Sequence, residues 1–220
     1  MSANPSVTPV VEKSDRSPEG IPFIVANEGA ERFSFYGMKT ILKVYLFTLF
    51  IQFVDQNTLD PAILAGARAQ STQWVHLFVA GVYAFPLIGA PLADRFLGKY
   101  RVILWVSLIY CSGHAVLAVA ARLGAMEVWT AARYSMVLGL FLIAVGSGGI
   151  KPCVSANVGD QFTAANGHLV TKVFQIFYFI INFGSFFSTA LTPILKDELG
   201  PEVAFGVPGI DPARHPTAKL

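Results

Sequence analysis

The sequence has 220 residues, of which 54% are hydrophobic and 14% charged, and its formal net charge is +2. Because soluble domains carry about a quarter charged residues, this deficit indicates a chain that is surrounded largely by lipid. The small net charge, without a basic block, excludes a nucleic-acid-binding protein. Cys111 and Cys153 lie in apolar runs without metal-ligand spacing, so we expect neither a disulfide nor a metal site.

Crossing a bilayer as a helix takes about 20 mostly apolar residues. Five stretches qualify: residues 23–53, 73–93, 101–121, 129–158 and 170–195. A further helix begins near residues 204–208, and polar residues end it soon afterwards. The sequence therefore predicts an all-α, polytopic membrane protein with about five transmembrane helices and a truncated sixth.

Three regions follow from this pattern. We expect a polar cytoplasmic tail over residues 1–21, a transmembrane bundle over 22–208, and a second polar tail over 209–220, where the chain is expected to be cut short. The N-terminal tail and the loops on its side of the membrane hold six Lys and Arg residues, against four on the other side. Because positive charge favours the cytoplasmic side, this bias predicts a cytoplasmic N-terminus.

The first apolar stretch contains a cluster of charged side chains. At 100° per residue, seven charged and aromatic side chains fall within an arc of about 140°. They are Glu28, Glu31, Arg32, Phe35, Tyr36, Lys39 and Lys43. Ionisable groups inside a span are costly and mark a site that faces protein or water. One interpretation is a structural ion pair. The other is a proton site that is negative when empty and neutral when loaded.

Three polar residues in the later stretches are also candidates. Lys151 follows a glycine pair, and it either reaches the membrane interface or acts as a fixed cation that balances a glutamate or a carboxylate of a solute. Asn182 has the side chain needed to contact backbone amides of a substrate. His76 lies near the start of the second stretch and is either a titrating group or a structural one.

The connection between the second and third stretches is short and rich in opposite charges. Asp94, Arg95 and Lys99 lie in it. They form either a conformational latch or an ordinary turn in which Asp94 caps the next helix. The spacing alone does not separate these two interpretations.

Four blocks of the sequence resemble the proton-dependent oligopeptide transporter family of the major facilitator superfamily. Residues 28–37 read Glu-Gly-Ala-Glu-Arg-Phe-Ser-Phe-Tyr-Gly and match the family's pattern in the first helix at every specified position. Residues 89–101, 148–162 and 177–185 are similar to its loop 2–3, helix-4 and helix-5 signatures. The blocks occur in the family's order, and the resemblance covers residues 22–208.

The resemblance implies proton-coupled uptake of di- and tripeptides by alternating access, with protons as the coupling ion and no other cofactor. The implied proton-coupling residues are Glu28, Glu31, Arg32, Lys151 and His76. The implied peptide pocket contains Tyr36, Lys39, Asn182 and Phe35. Lys39 stands where many members have arginine, and Phe35 stands where some have tyrosine.

Members of this family have about twelve helices in two halves, with the substrate site between them. We therefore expect this chain to be the N-terminal half of a cell-membrane carrier and to be inactive alone. The alternatives are a truncated interaction protein that modulates a full-length carrier, and a relative that carries nitrate or another small solute. A membrane enzyme is disfavoured, because no nucleophile–base constellation accompanies the charged cluster.

Overall fold

The computed structural model describes residues 14–54, 60–92, 95 and 99–206. Every regular element within these ranges is helical, which confirms the all-α prediction. The helices are α1 (Ile21–Val54), α2 (Pro61–Ala84), α3 (Pro86–Leu92), α4 (Lys99–Ala125), α5 (Trp129–Asp160), α6 (Val170–Leu199) and α7 (Pro201–Gly206). A single 3-10 turn, Gly167–Leu169, precedes α6.

Four of these helices are long and apolar enough to cross a membrane. The candidate spans are Ile21–Gln52, Arg101–Ala125, Trp129–Asp160 and Gly167–Leu199. They correspond to the first, third, fourth and fifth stretches predicted from hydropathy. The chain is therefore an integral membrane protein with several spanning helices.

The second predicted stretch has the wrong boundaries. We expected a helix over 73–93, whereas α2 begins at Pro61 and ends at Ala84, and α3 continues from Pro86. The Asp60 side chain accepts a hydrogen bond of 2.8 Å from the Ala62 amide and caps α2. The polar stretch of residues 68–73 separates the first turns of α2 from its longer apolar run, so hydropathy alone did not reveal them. Pro86 interrupts the helix, since proline has no amide hydrogen to donate.

Helix α1 lies at the centre of the bundle and packs against α2, α5 and α6, while α4 packs against α5 and α7. Met38, Ile41 and Leu42 are fully buried on α1. Phe205 of α7 is also fully buried, and its ring meets that of Tyr45 edge-on, with 5.2 Å between the ring centroids. The predicted sixth helix thus begins at Pro201, and the residues after Gly206 lie outside the described ranges.

Glycines bring two pairs of helices unusually close together. On α5, a Cβ atom added to Gly146 would lie 2.8 Å from the Cα of Tyr110 on α4. On α6, a Cβ added to Gly184 would lie 3.0 Å from the carbonyl oxygen of Gly29 on α1. Small residues permit this backbone approach, which is a common basis of helix association in lipid. The close packing fixes where the side chains next to these glycines can point.

We predict that Gly146→Ala destabilises the fold, because the new methyl group would overlap the Tyr110 backbone. Overpacking of this kind costs about 1–3 kcal/mol. The matched control is Gly159→Ala on the same helix, where no atom lies within 4 Å of the added Cβ. Thermal unfolding in detergent should show a lower midpoint for Gly146→Ala and an unchanged or higher one for the control. Equal midpoints would contradict the close approach of α4 and α5.

Candidate functional site

The charged cluster of α1 points into the bundle. Glu28, Glu31 and Arg32 are 4%, 6% and 7% exposed, so all three are buried. They lie together because positions three and four apart share one face of a helix. The same face buries Phe35 one turn later. The amphipathic stripe predicted from the sequence is thus an inward-facing one at these positions.

One guanidinium nitrogen serves both carboxylates. Arg32 Nε donates a hydrogen bond of 2.7 Å to Glu28 Oε1 and lies 2.9 Å from Glu31 Oε2. Because Nε carries a single hydrogen, it cannot satisfy both acceptors fully. Two negative charges and one positive charge therefore share a small buried volume.

Helices α4 and α5 add two hydroxyl groups to this cluster. Ser147 Oγ on α5 donates a hydrogen bond of 3.2 Å to Glu31 Oε1. The Tyr110 hydroxyl on α4 donates one of 3.2 Å to the backbone carbonyl of Glu31. Both contacts depend on the glycine-mediated approach of α4 and α5. Glu31 is consequently held from three helices.

Lys151 lies one helical turn beyond Ser147 and is half-buried. Its Nζ lies 4.9 Å from the ring centroid of Phe35 and 5.3 Å from that of Tyr83. These are cation–π contacts, which are worth about 0.5–2 kcal/mol. Among the described residues, no carboxylate forms an ion pair with Lys151 in this structure. The ammonium group is therefore near the cluster and held by aromatic rings.

Two carboxylate oxygens in the cluster lack a hydrogen-bond donor. In the ranges that the structure describes, Oε2 of Glu28 and Oε2 of Glu31 are buried and have no hydrogen-bond partner. Buried charged oxygens without donors are costly, and one proton on either acid would relieve that cost. The three α1 groups together carry a charge of −1 when unprotonated and are neutral with one proton. The arrangement can therefore bind and release a proton.

The residues expected to contact peptide lie on two facing helices. Tyr36 lines an open groove with a volume of about 470 Å³ against α6, together with Ser185, Phe186, Thr189 and Ala190.

Asn182 belongs to the same stripe of α6 by helical spacing, is exposed, and donates a hydrogen bond of 2.8 Å to the Tyr178 carbonyl. Lys39 is exposed one turn beyond Tyr36. Phe35 is buried and contacts Phe78 and Lys151 instead.

The remaining candidates are His76 and the three residues of the connection that leads into α4. His76 is exposed on α2, on the side away from the buried Phe78. Arg95 is exposed, while Asp94 and the side chain of Lys99 lie outside the described residues. The latch interpretation therefore stays a prediction. Within the part of the chain that is described, no group of three or more His, Cys, Asp or Glu side chains is placed to hold a metal ion.

Sequence reasoning missed Ser147 and Tyr110. Both are small or amphipathic residues in apolar helices, where packing is the ordinary interpretation. The available signal for Ser147 was its position four residues before Lys151, which places both on one face of α5. Tyr110 carried no comparable signal.

A bundle of membrane-spanning helices with ionisable groups at its centre is typical of membrane transport proteins. The family model described as "PTR2: POT family" matches residues 100–211. The chain belongs to this transporter family. It is 43% identical over 202 residues to "Peptide transporter family 1" of Drosophila melanogaster and 41% identical over 201 residues to "Solute carrier family 15 member 2" of Homo sapiens.

Solved structures agree with this assignment. The POT family transporter PepTSo matches with a TM-score of 0.77 and 47% identity, over 88% of this chain and 35% of that one. An auto-inhibited POT family peptide transporter matches with a TM-score of 0.74 and 45% identity, over 87% and 34%. The matches to the fly and human relatives cover 88% of this chain. The chain spans only 25% of the length of each relative.

We predict that Arg32→Met destabilises the bundle strongly at neutral pH and less at acid pH. Removing the cation leaves two buried carboxylates, and breaking a buried pair in this way costs about 3–5 kcal/mol. Protonation of the acids removes that charge, so the loss should shrink as the pH falls. Thermal unfolding in detergent across pH measures this dependence.

The control for this prediction is Arg122→Met, which alters a side chain that is 68% exposed. It should change the unfolding midpoint little at any pH. Adding Glu28→Gln and Glu31→Gln to Arg32→Met should restore stability. An Arg32→Met effect that is the same at neutral and acid pH would show that Arg32 acts through packing rather than charge.

Proposed function

We propose that this chain supplies the proton-coupling bundle of a carrier that moves di- and tripeptides together with protons by alternating access. The observation that carries the proposal is the buried Glu28–Arg32–Glu31 cluster, with one guanidinium for two carboxylates. The peptide part of the proposal is supported by the names of the relatives, two of which are described as peptide transporters. No catalytic step and no cofactor other than the proton is needed.

The proton would bind at Glu28 or Glu31. When the cluster is unprotonated, its charge of −1 attracts the ammonium group of Lys151. When one acid is protonated that attraction falls, and Lys151 rests on the rings of Phe35 and Tyr83, as in this structure. Because Lys151 belongs to α5 and the acids to α1, proton binding would change the attraction between these two helices. That change is what a coupled carrier requires.

The peptide would bind in the groove beside Tyr36, with Lys39 available for its carboxylate and Asn182 for its backbone. Arginine would grip a carboxylate in a bidentate manner, whereas Lys39 offers a single point charge. The groove is open on one side, which supports completion of the site by a second bundle. We therefore propose that the chain acts together with a C-terminal half or a full-length carrier and is inactive alone.

The remaining assignments also belong to this proposal. His76 would assist proton transfer, and Asp94, Arg95 and Lys99 would act as a latch between conformations. The chain would lie in the cell membrane with its N-terminus in the cytoplasm, as the distribution of Lys and Arg favours. The exposed position of His76 on α2 makes it available to a second bundle.

The test replaces the matching quarter of Drosophila "Peptide transporter family 1" with this chain and measures uptake of a labelled dipeptide into liposomes. We expect an inward proton gradient to stimulate uptake by the chimera. Glu31→Gln should reduce uptake to the level seen without a gradient, because the cluster can no longer change its charge. The isolated chain should show no gradient-driven uptake.

Exchange of dipeptide without a gradient is the control for folding and peptide binding in the chimera and its Glu31→Gln variant. A chimera that exchanges dipeptide but ignores the proton gradient would contradict the coupling role. Gradient-driven uptake of nitrate in place of dipeptide would contradict the substrate assignment alone.

A further inference from the structure

The Ser147 hydroxyl is the one donor from α5 among the described residues that reaches a carboxylate of the cluster. Its side chain is fully buried, and its Oγ lies 3.2 Å from Glu31 Oε1. Ser147 lies 116 positions after Glu31 in the sequence and on a different helix. We propose that Ser147 is a positioning residue that sets the pH at which the cluster takes its proton. This inference rests on the proposed role of the cluster in proton coupling.

The Ser147 hydroxyl donates to a carboxylate on another helix, whereas the Ser188 hydroxyl of α6 also donates across to α1 but to the Phe33 carbonyl. Hydroxyl groups in helices commonly donate to a carbonyl of the preceding turn. Thr40, Thr48 and Ser185 do so here, donating to the carbonyls of Tyr36, Val44 and Ile181. Ser147 instead donates across to α1. The adjacent Gly146 brings this part of α5 against Tyr110 of α4.

The hydrogen bond distinguishes the two acids. Glu31 has Ser147 on one oxygen and Arg32 near the other, whereas Glu28 has Arg32 alone. A donor to a carboxylate stabilises its charged form, so Ser147 favours unprotonated Glu31. The charged and titratable groups around Glu31 are Glu28 and Arg32 on α1, Tyr110 on α4 and Lys151 on α5.

Loss of the hydroxyl should therefore move protonation of the cluster to higher pH. A hydrogen bond to a charged group is strong enough to shift the midpoint by about one pH unit, a tenfold change in proton affinity. Since Ser147 lies one turn from Lys151, it also links the protonation of Glu31 to the helix that carries this cation. Ser147 would thus adjust coupling without binding peptide or proton itself.

The test is an infrared titration of the carboxyl band of this chain in liposomes, comparing Ser147→Ala with the parent. We expect the midpoint to move to higher pH by about one unit. Ser147→Thr keeps a hydroxyl and should restore the parent midpoint. Ser155→Ala is the matched control, because Ser155 is exposed on the same helix two turns away. It should leave the titration unchanged.

Thermal unfolding shows whether each variant is folded. If Ser147→Ala does not fold, Ser147→Cys replaces it, and its weaker thiol donor should give a smaller shift in the same direction. If the parent titrates and Ser147→Ala titrates at the same midpoint, the inference about Ser147 is overturned and the proposed function stands. A parent chain in which neither Glu28 nor Glu31 titrates would overturn both.

Discussion

The guanidinium of Arg32 is shared by two carboxylates that are buried with it inside the bundle. Buried ions lose their hydration, and only mutual attraction and added hydrogen bonds compensate for that loss. The surrounding structure supplies one such hydrogen bond, from Ser147 on α5 to the carboxylate of Glu31, while Tyr110 on α4 holds the Glu31 backbone. Because one acid remains in excess, the compensation is incomplete while both acids are ionised. The same imbalance that costs stability is thus the property a proton-coupled carrier needs.

The site depends on features that carry no charge. Gly146 allows α5 to lie against Tyr110, and Gly184 allows α6 to lie against Gly29. The first contact brings α5 and α4 together beside Glu31, and the second holds α6 against α1. Helix packing by small residues therefore positions the groups to which we assign proton binding. In this proposal a change of charge in the cluster would alter the attraction between α1 and α5.

Much of this arrangement was predictable because charges inside an apolar helix are rare and costly. Glu28, Glu31 and Arg32 were identified from this rule, and four of the spans from hydropathy. The start of α2, capped by Asp60, was not, since the polar stretch of residues 68–73 separates its first turns from the longer apolar run. Tyr110 and Ser147 lie 79 and 116 positions from Glu31, so their contacts exist only in the folded bundle. The aromatic contacts of Lys151 likewise depend on how α1, α2 and α5 meet.

Carbon-13 NMR of the chain labelled at glutamate Cδ, in lipid nanodiscs, measures whether the Glu28–Arg32–Glu31 cluster exchanges a proton. Glu19, Glu127 and Glu198 are exposed and provide internal references. We expect the signal of one carboxyl to titrate separately from these references. This signal should disappear when Glu28→Gln and Glu31→Gln are combined. If every glutamate signal titrated at the pH of the exposed references, and the double variant left these titrations unchanged, the cluster would not exchange a proton.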